Sequence, residues 1–326
     1  MKEYFNIRRV IALVFAAFLL FIGVKFYLFV NIYETGQGIY VSRPPSVEAF
    51  LPISALLALR QLLEVHVWDY IHPAGLTLFI AIIITAFLFR RFFCSFICPI
   101  GTLSDWLHIA GKKSLKKSIQ PPKWLDMLLG SLKYLLLAFF FYFTFVAMDI
   151  YSVQAFLAAP YNKVADVKML YFFKNISASG FFTILVLAIL SLFIPYFWCR
   201  YLCPYGALLA IMAKFSPAKV RRNKETCIDC KKCDKACPVG INVSSKEKVT
   251  STACMACFSC VEACPKEDTL KMSIFNRSIP LKIFALTAVG IFYLFIAWAI
   301  LTDHWQTRVT AQEWQQVIPV AREFNH

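Results

Sequence analysis

Residues 227 to 238 read Cys-Ile-Asp-Cys-Lys-Lys-Cys-Asp-Lys-Ala-Cys-Pro, and residues 254 to 265 read Cys-Met-Ala-Cys-Phe-Ser-Cys-Val-Glu-Ala-Cys-Pro. Each is a C-x2-C-x2-C-x3-C-P run. That spacing lets three thiolates on one tight loop grip a 4Fe-4S cubane while the fourth cysteine ligates the neighbouring cluster. One cluster is therefore expected on Cys227, Cys230, Cys233 and Cys264, and the other on Cys254, Cys257, Cys260 and Cys237. Zinc is the rival, since C-x2-C pairs also build tetrahedral zinc sites; two complete four-cysteine copies, each ending in proline, favour clusters.

Four of the twelve cysteines remain: Cys94 and Cys98, then Cys199 and Cys203, each pair a C-x3-C-P turn. Within a pair the i to i+4 spacing can put both sulfurs on one face of a helical turn. The following proline disfavours helical geometry at the second cysteine, so the helix is expected to break there and free backbone N-H groups for the sulfurs. Together the four thiols suit a third redox centre, most simply another 4Fe-4S cluster. The competing readings are buried structural thiols, disulfides and zinc.

These residues must be held by a membrane protein. The chain is 59% hydrophobic and 16% charged, against about a quarter charged in ordinary soluble domains. Five apolar runs, about 10 to 30, 74 to 90, 128 to 147, 180 to 198 and 281 to 302, approach the ~20 residues needed to cross hydrocarbon. The first continues past Lys25 without a small-residue cleavage site, which reads as an anchor rather than a removed signal. The net charge of +15 resides largely in two loops: Arg90, Arg91, Lys112, Lys113, Lys116 and Lys117, then Lys214, Lys219, Arg221, Arg222 and Lys224. They read as inside-facing topology signals rather than a nucleic-acid surface. The expected topology is multi-pass. The amino terminus and cysteine-rich segment are cytoplasmic, and the polar tail is outside with Trp305 and Trp314 as interface anchors. In a reducing compartment, metal or cluster ligation outranks disulfides.

Two strings recur. Val47-Glu-Ala-Phe-Leu51 is echoed by Val153-Gln-Ala-Phe-Leu157 at an offset of 106, and Cys94-Ser-Phe-Ile-Cys98-Pro99 by Cys199-Arg-Tyr-Leu-Cys203-Pro204 at 105. The matches suggest a duplicated unit of helix, outside segment, helix and cysteine turn, with the copies related as parallel repeats; chance recurrence of short apolar strings in a biased sequence is the competing reading. The outside pieces, Glu48 to Trp68 and Asp149 to Tyr161, are expected at the interface. The fold class is an all-α membrane bundle of about five helices, the first four as two repeats, with an inserted small α+β dicluster ferredoxin-like domain. The segments are 1–111, 112–222, 223–275 and 276–326.

On these motifs the chain resembles bacterial dicluster ferredoxins and, over residues 1 to 280, the membrane subunits of quinol dehydrogenases that serve periplasmic nitrate reductase. The nitrous oxide reductase regulator and the cbb3 oxidase accessory protein are related. The resemblance implies four helices, two C-x3-C-P turns at the cytoplasmic face and a cytoplasmic ferredoxin domain. It also implies a non-catalytic electron-transfer subunit of the bacterial inner membrane, working with the quinone pool and further redox subunits. This chain adds a fifth helix and lacks a large periplasmic flavin-binding domain. A quinone site would need a base and a donor, for which Glu48, Arg60 and Asp149 are the candidates. His66 and His72 lie near the same edge. Ordinary solvation or ion pairing is the competing account of such residues. The functional alternative is an accessory or regulatory protein that reduces a metal or disulfide while another respiratory enzyme is assembled.

Overall fold

The computed structural model describes residues 2–115 and 121–324; the expected topology cations Lys116 and Lys117 lie outside them. The described chain is mostly helical. Three helices among the described residues, Ile7–Thr35, Trp124–Ala147 and Leu281–Leu301, are long and apolar enough to cross a bilayer. Ala165–Lys174 and Ala178–Phe193 meet that standard as a pair but bend by 83° at their junction. The run expected at 180 to 198 is therefore half of a broken element that ends at Phe193. A new helix starts because the Ser177 hydroxyl accepts the Gly180 N-H at 3.2 Å, satisfying one of the unpaired donors of the first turn. The run at 74 to 90 forms the Pro73–Phe89 helix of 17 residues, with proline at its first position, where the missing N-H costs nothing.

Contacts divide the chain into two units that are discontinuous in sequence: Met1–Ala16, Ile82–Leu137 and Thr183–Phe292 in the first, Ala17–Ala81, Ala138–Phe182 and Tyr293–His326 in the second. Within the first unit, β1 (Ala218–Arg222), β2 (Leu270–Ile274) and β3 (Arg277–Ile279) form an antiparallel sheet in that order. Val220 lies opposite Met272, and both are buried. Phe275 and Asn276 have φ of 45° and 70°, the paired left-handed geometry of a two-residue hairpin turn that follows strand twist. Arg90 ends the Pro73–Phe89 helix at φ 60° and is fully buried. Its guanidinium donates to the carbonyls of Ala218, at 3.4 Å, and Ser251. A residue read as a surface topology charge thus fastens the cysteine-rich segment to the helix end.

In the second unit, the Pro52–Val65 and Ile150–Ala158 helices pack through Leu57, Ala58, Val153 and Leu157, with Leu76 in the same cluster. The echoed strings adopt different local structures. Val153–Leu157 lies inside a helix, whereas Val47 to Phe50 belongs to a 3-10 turn. Pro52 accounts for the difference, because the residue before a proline is pushed out of the α region and Leu51 sits at ψ 61°. Trp314, expected at a lipid interface, belongs instead to the core, edge-on to Phe29 at 5.9 Å and covered by Arg43. Trp305 is likewise buried. The tail forms part of this unit: its Ala311–Val317 helix is started by a capping box of Thr310 and Glu313, and Glu313 pairs with Lys163 at 2.7 Å.

Candidate iron-sulfur sites

The two ferredoxin-like runs coil in the same way. Asp229 and Lys231 in the first, and Ala256 and Phe258 in the second, have φ of 49°, 54°, 50° and 65°. These are the second and fourth residues after the first cysteine of each run. Non-glycine residues are rarely held there, and alternating right- and left-handed conformations turn successive N-H groups toward one concavity, a cradle for negative charge. Short helices, Lys232–Ala236 and Ser259–Glu262, then carry each run towards its fourth cysteine.

Two cavities result. Cys227, Cys230, Cys233 and Cys264 line one, with empty space of about 350 Å³ including its mouth. Cys237, Cys254, Cys257 and Cys260 line the other, about 370 Å³ on the same measure. The fourth cysteine of each run therefore faces the cavity of the other. Among the described residues no group of three or more His, Cys, Asp or Glu side chains is gathered tightly enough to chelate a single metal ion. The donor set suits a larger group: four soft thiols around a concavity with inward N-H donors, such as Ile241 N-H on Cys237 Sγ at 3.4 Å. Burial pushes the Cys237 thiol up to about 12 and raises Cys257 and Cys260 as well, so these thiols ionise only when a cation or cluster compensates the charge.

The two cysteine turns meet in the same unit. Cys94 lies in the Phe92–Phe96 helix and Cys98 just after it, before Pro99 opens the next helix. Cys199 lies in a widened turn at Trp198–Leu202, and Cys203 caps the Pro204–Lys214 helix in an extended conformation, its sulfur accepting the Gly206 N-H at 3.2 Å. The helices do break at these cysteines, and each proline starts a new one. All four cysteines are free. Burial pushes Cys98 up to about 12 and raises Cys199 and Cys203, with the neighbouring thiols of the quartet adding to the effect in each case. Glycine is required at Gly101 and fits closely at Gly206. A Cβ on Gly101 would fall 1.9 Å from the Cys94 carbonyl oxygen, and one on Gly206 would crowd Arg91 at 3.1 Å and the Cys199 carbonyl at 3.2 Å.

Sequence reasoning missed the cations around this quartet. Arg91, read as a topology charge, is 2% exposed, close enough to Cys94, Cys199 and Cys203 to feel their charge. Its Nε and one terminal nitrogen have no hydrogen-bond partner. Lys133 is buried near Cys94, Cys203 and Arg91. Arg200, by contrast, is neutralised by Asp126 at 2.7 Å. Among the described residues, no carboxylate pairs with Arg91 or Lys133. A buried guanidinium with orphaned nitrogens is costly, and an anion held by the four cysteines would relieve that cost. The only sequence signal was an Arg-Arg pair three residues before a cysteine turn.

The polar candidates of the second unit have different partners. Glu48 is buried and bonded to Arg43 at 2.6 Å and to Gly75 N-H at 2.9 Å; Arg43 also holds Asp166 at 2.7 Å. Burial acts to raise the Glu48 carboxyl, but Arg43 and His72 outweigh it and hold it below the usual range. Arg60 has other partners, Glu64 at 2.7 Å and the carbonyls of Thr144 and Met148. Asp149 is an exposed helix cap that accepts Ser152 N-H at 3.2 Å. His72 reaches the Asn162 carbonyl at 2.7 Å. Asp69, missed in the sequence, is buried, has one unpartnered oxygen, and is raised by that burial.

Family comparisons agree with the cysteine geometry. A 4Fe-4S binding domain model matches twice, at residues 71–118 and 176–223, and a 4Fe-4S dicluster domain model matches at 219–265. YccM of Escherichia coli K12, named there as a candidate electron transport protein, is 38% identical over 327 residues, covering 98% of this chain and 91% of its own length. The chain belongs to the polyferredoxin-type family of 4Fe-4S membrane proteins. Other polyferredoxin-type relatives match in part. Protein NirI of Paracoccus denitrificans is 31% identical across 54% of this chain and 26% of its own length. The regulatory protein NosR of Pseudomonas aeruginosa is 28% identical across 46% and 20%. No solved structure matches this polyferredoxin-type chain.

Proposed function

We propose that this iron-sulfur electron-transfer protein carries three 4Fe-4S clusters and moves electrons between the quinone pool and a partner redox subunit of a respiratory complex. The observation that carries the reading is the interleaving of the two ferredoxin-like runs around two cavities, with a third thiol quartet in the same unit. Cys227, Cys230, Cys233 and Cys264 would hold one cluster, and Cys254, Cys257, Cys260 and Cys237 a second. Cys94, Cys98, Cys199 and Cys203 would hold the third, with Arg91 and Lys133 balancing its charge. When bound, such groups supply single-electron redox chemistry at potentials set by burial, nearby charge and hydrogen bonds to sulfur. The double match of one 4Fe-4S domain model, at an offset equal to that of the cysteine turns, supports the third site and the repeat. Anaerobic purification should yield about twelve irons per chain, and Cys94→Ser with Cys199→Ser should lower that by about four. A yield near eight in both proteins, without zinc, would leave the quartet as structural thiols.

A quinone site in the second unit is supported by its buried titratable groups, Glu48, His72 and Asp69, of which Asp69 keeps an oxygen free to take a proton. Glu48→Gln should sharply lower quinol-driven cluster reduction while iron content holds. An unchanged rate removes Glu48 from the site.

The uneven distribution of Lys and Arg supports five crossings, with the ferredoxin-like segment in the cytoplasm and the tail outside. A reporter that needs the cytoplasm should work when fused at residue 240 and fail at residue 326; activity at both would remove the fifth crossing. Similarity to NosR favours a regulatory role as the second reading. The end-to-end match to YccM favours electron transport.

A further inference from the structure

The two cysteine turns are equivalent in sequence but not in what they touch. In the first, the Ser95 hydroxyl, 2% exposed, donates to the Met255 carbonyl at 2.8 Å and is 3.1 Å from the Phe92 carbonyl. Met255 follows Cys254 directly. Phe96 meets Phe258 edge-on at 5.5 Å, and Phe258 follows Cys257. In the second turn the corresponding residues are Arg200 and Tyr201, and both go to Asp126, at 2.7 and 2.5 Å. One turn is thus docked on the Cys254 loop, and the matching side chains of the other are engaged by Asp126. Arg8 reinforces the dock: it donates to the Ser95 carbonyl at 3.3 Å and pairs with Asp105 at 2.8 Å.

The cavities differ in the same sense. Cys233 and Cys237 are buried, but Cys230 is exposed and Ile228, in the same loop, is 56% exposed. In the other loop Met255, which stands where Ile228 does, is 2% exposed, and Ala256 and Phe258 are 1% and 3% exposed.

We infer that the site of Cys237, Cys254, Cys257 and Cys260 is the inner one, coupled to the Cys94–Cys203 quartet through Ser95, and that the Cys227 site is the outer one, open to a soluble redox partner. The inference rests on the quartet holding a redox centre. Ser95 is a positioning residue. Its hydroxyl gives a direct connection between a ligand of one site and a ligand of the other: one residue from Cys94, one hydrogen bond, and one residue to Cys254. A single electron exchanged along it breaks no bond and moves no proton; one site loses it and the other gains it.

Magnetic coupling between centres in the full-length, anaerobically purified and dithionite-reduced protein tests the order. In Cys230→Ser, which disables the outer site, the two remaining centres should still broaden and relax each other in paramagnetic resonance. In Cys257→Ser, which disables the inner site, the outer and quartet signals should become independent. Coupling that survives Cys257→Ser and vanishes in Cys230→Ser overturns the order. A wild-type yield near eight irons per chain overturns the three-centre reading itself, and this inference with it. Ser95→Ala, which leaves all ligands in place, should keep the iron content while slowing internal equilibration severalfold after rapid reduction. An unchanged rate in Ser95→Ala removes Ser95 from the connection.

Discussion

Replacing Cys237 with serine should remove one cubane and spare the other. Cys237 stands in the first cysteine run, yet it lines the cavity of Cys254, Cys257 and Cys260, and it is 8% exposed. Serine offers an oxygen donor where a soft sulfur is needed, so the iron yield should fall by about four per chain. The resonance spectrum of the Cys227 centre should persist. The site whose lines are lost reports which cavity Cys237 serves; damage confined to the Cys227 centre would mean that each run keeps its own fourth cysteine.

Arg91→Met should act with opposite signs on the two readings of the thiol quartet. If the four cysteines hold a cluster, the buried guanidinium balances a net negative group, and removing it should weaken cluster retention by about 10- to 100-fold, the scale seen for outer residues of metal sites. Iron would then fall from about twelve per chain toward eight during purification. If the quartet is four neutral thiols, Arg91 is an uncompensated buried charge, and methionine in its place should raise thermal stability. Iron content and melting temperature measured together decide between them. Arg91→Lys, which keeps the charge on a different shape, should retain more iron than Arg91→Met.

Those cations illustrate what could be read in advance. The thiolate chemistry was legible because spacing along one chain dictates which cysteines share a loop. The break at each C-x3-C-P turn was legible because proline acts on its immediate neighbour. Arg90 and Arg91 were not, since a basic pair after an apolar run reads as a topology signal whether its side chains face water, a carbonyl or a thiol. Trp314 was hidden in the same way. An aromatic in a polar tail looks like a boundary residue until Phe29, far off in sequence, is brought against it. The bend after Lys174 was hidden by hydropathy, which counts apolar residues and is blind to the Ser177 cap. Glu48, Arg60 and Asp149 were grouped by polarity alone, and composition says nothing of the separate partners each one has.

The four left-handed residues of the cysteine loops have an implication for the life of the protein in a cell. Asp229, Lys231, Ala256 and Phe258 are kept in a sparsely populated conformation, which costs of order 1 kcal/mol or more at each position and persists only while the surroundings enforce it. Where ligands must converge on a cofactor, its binding energy becomes folding energy. A newly made chain without iron would carry this tension with nothing to offset it, leaving the loops as the first part to open. Loops that open are where proteases cut. The amount of this protein would then follow iron supply through turnover, so that iron starvation removes the chain itself as well as the charge it can carry.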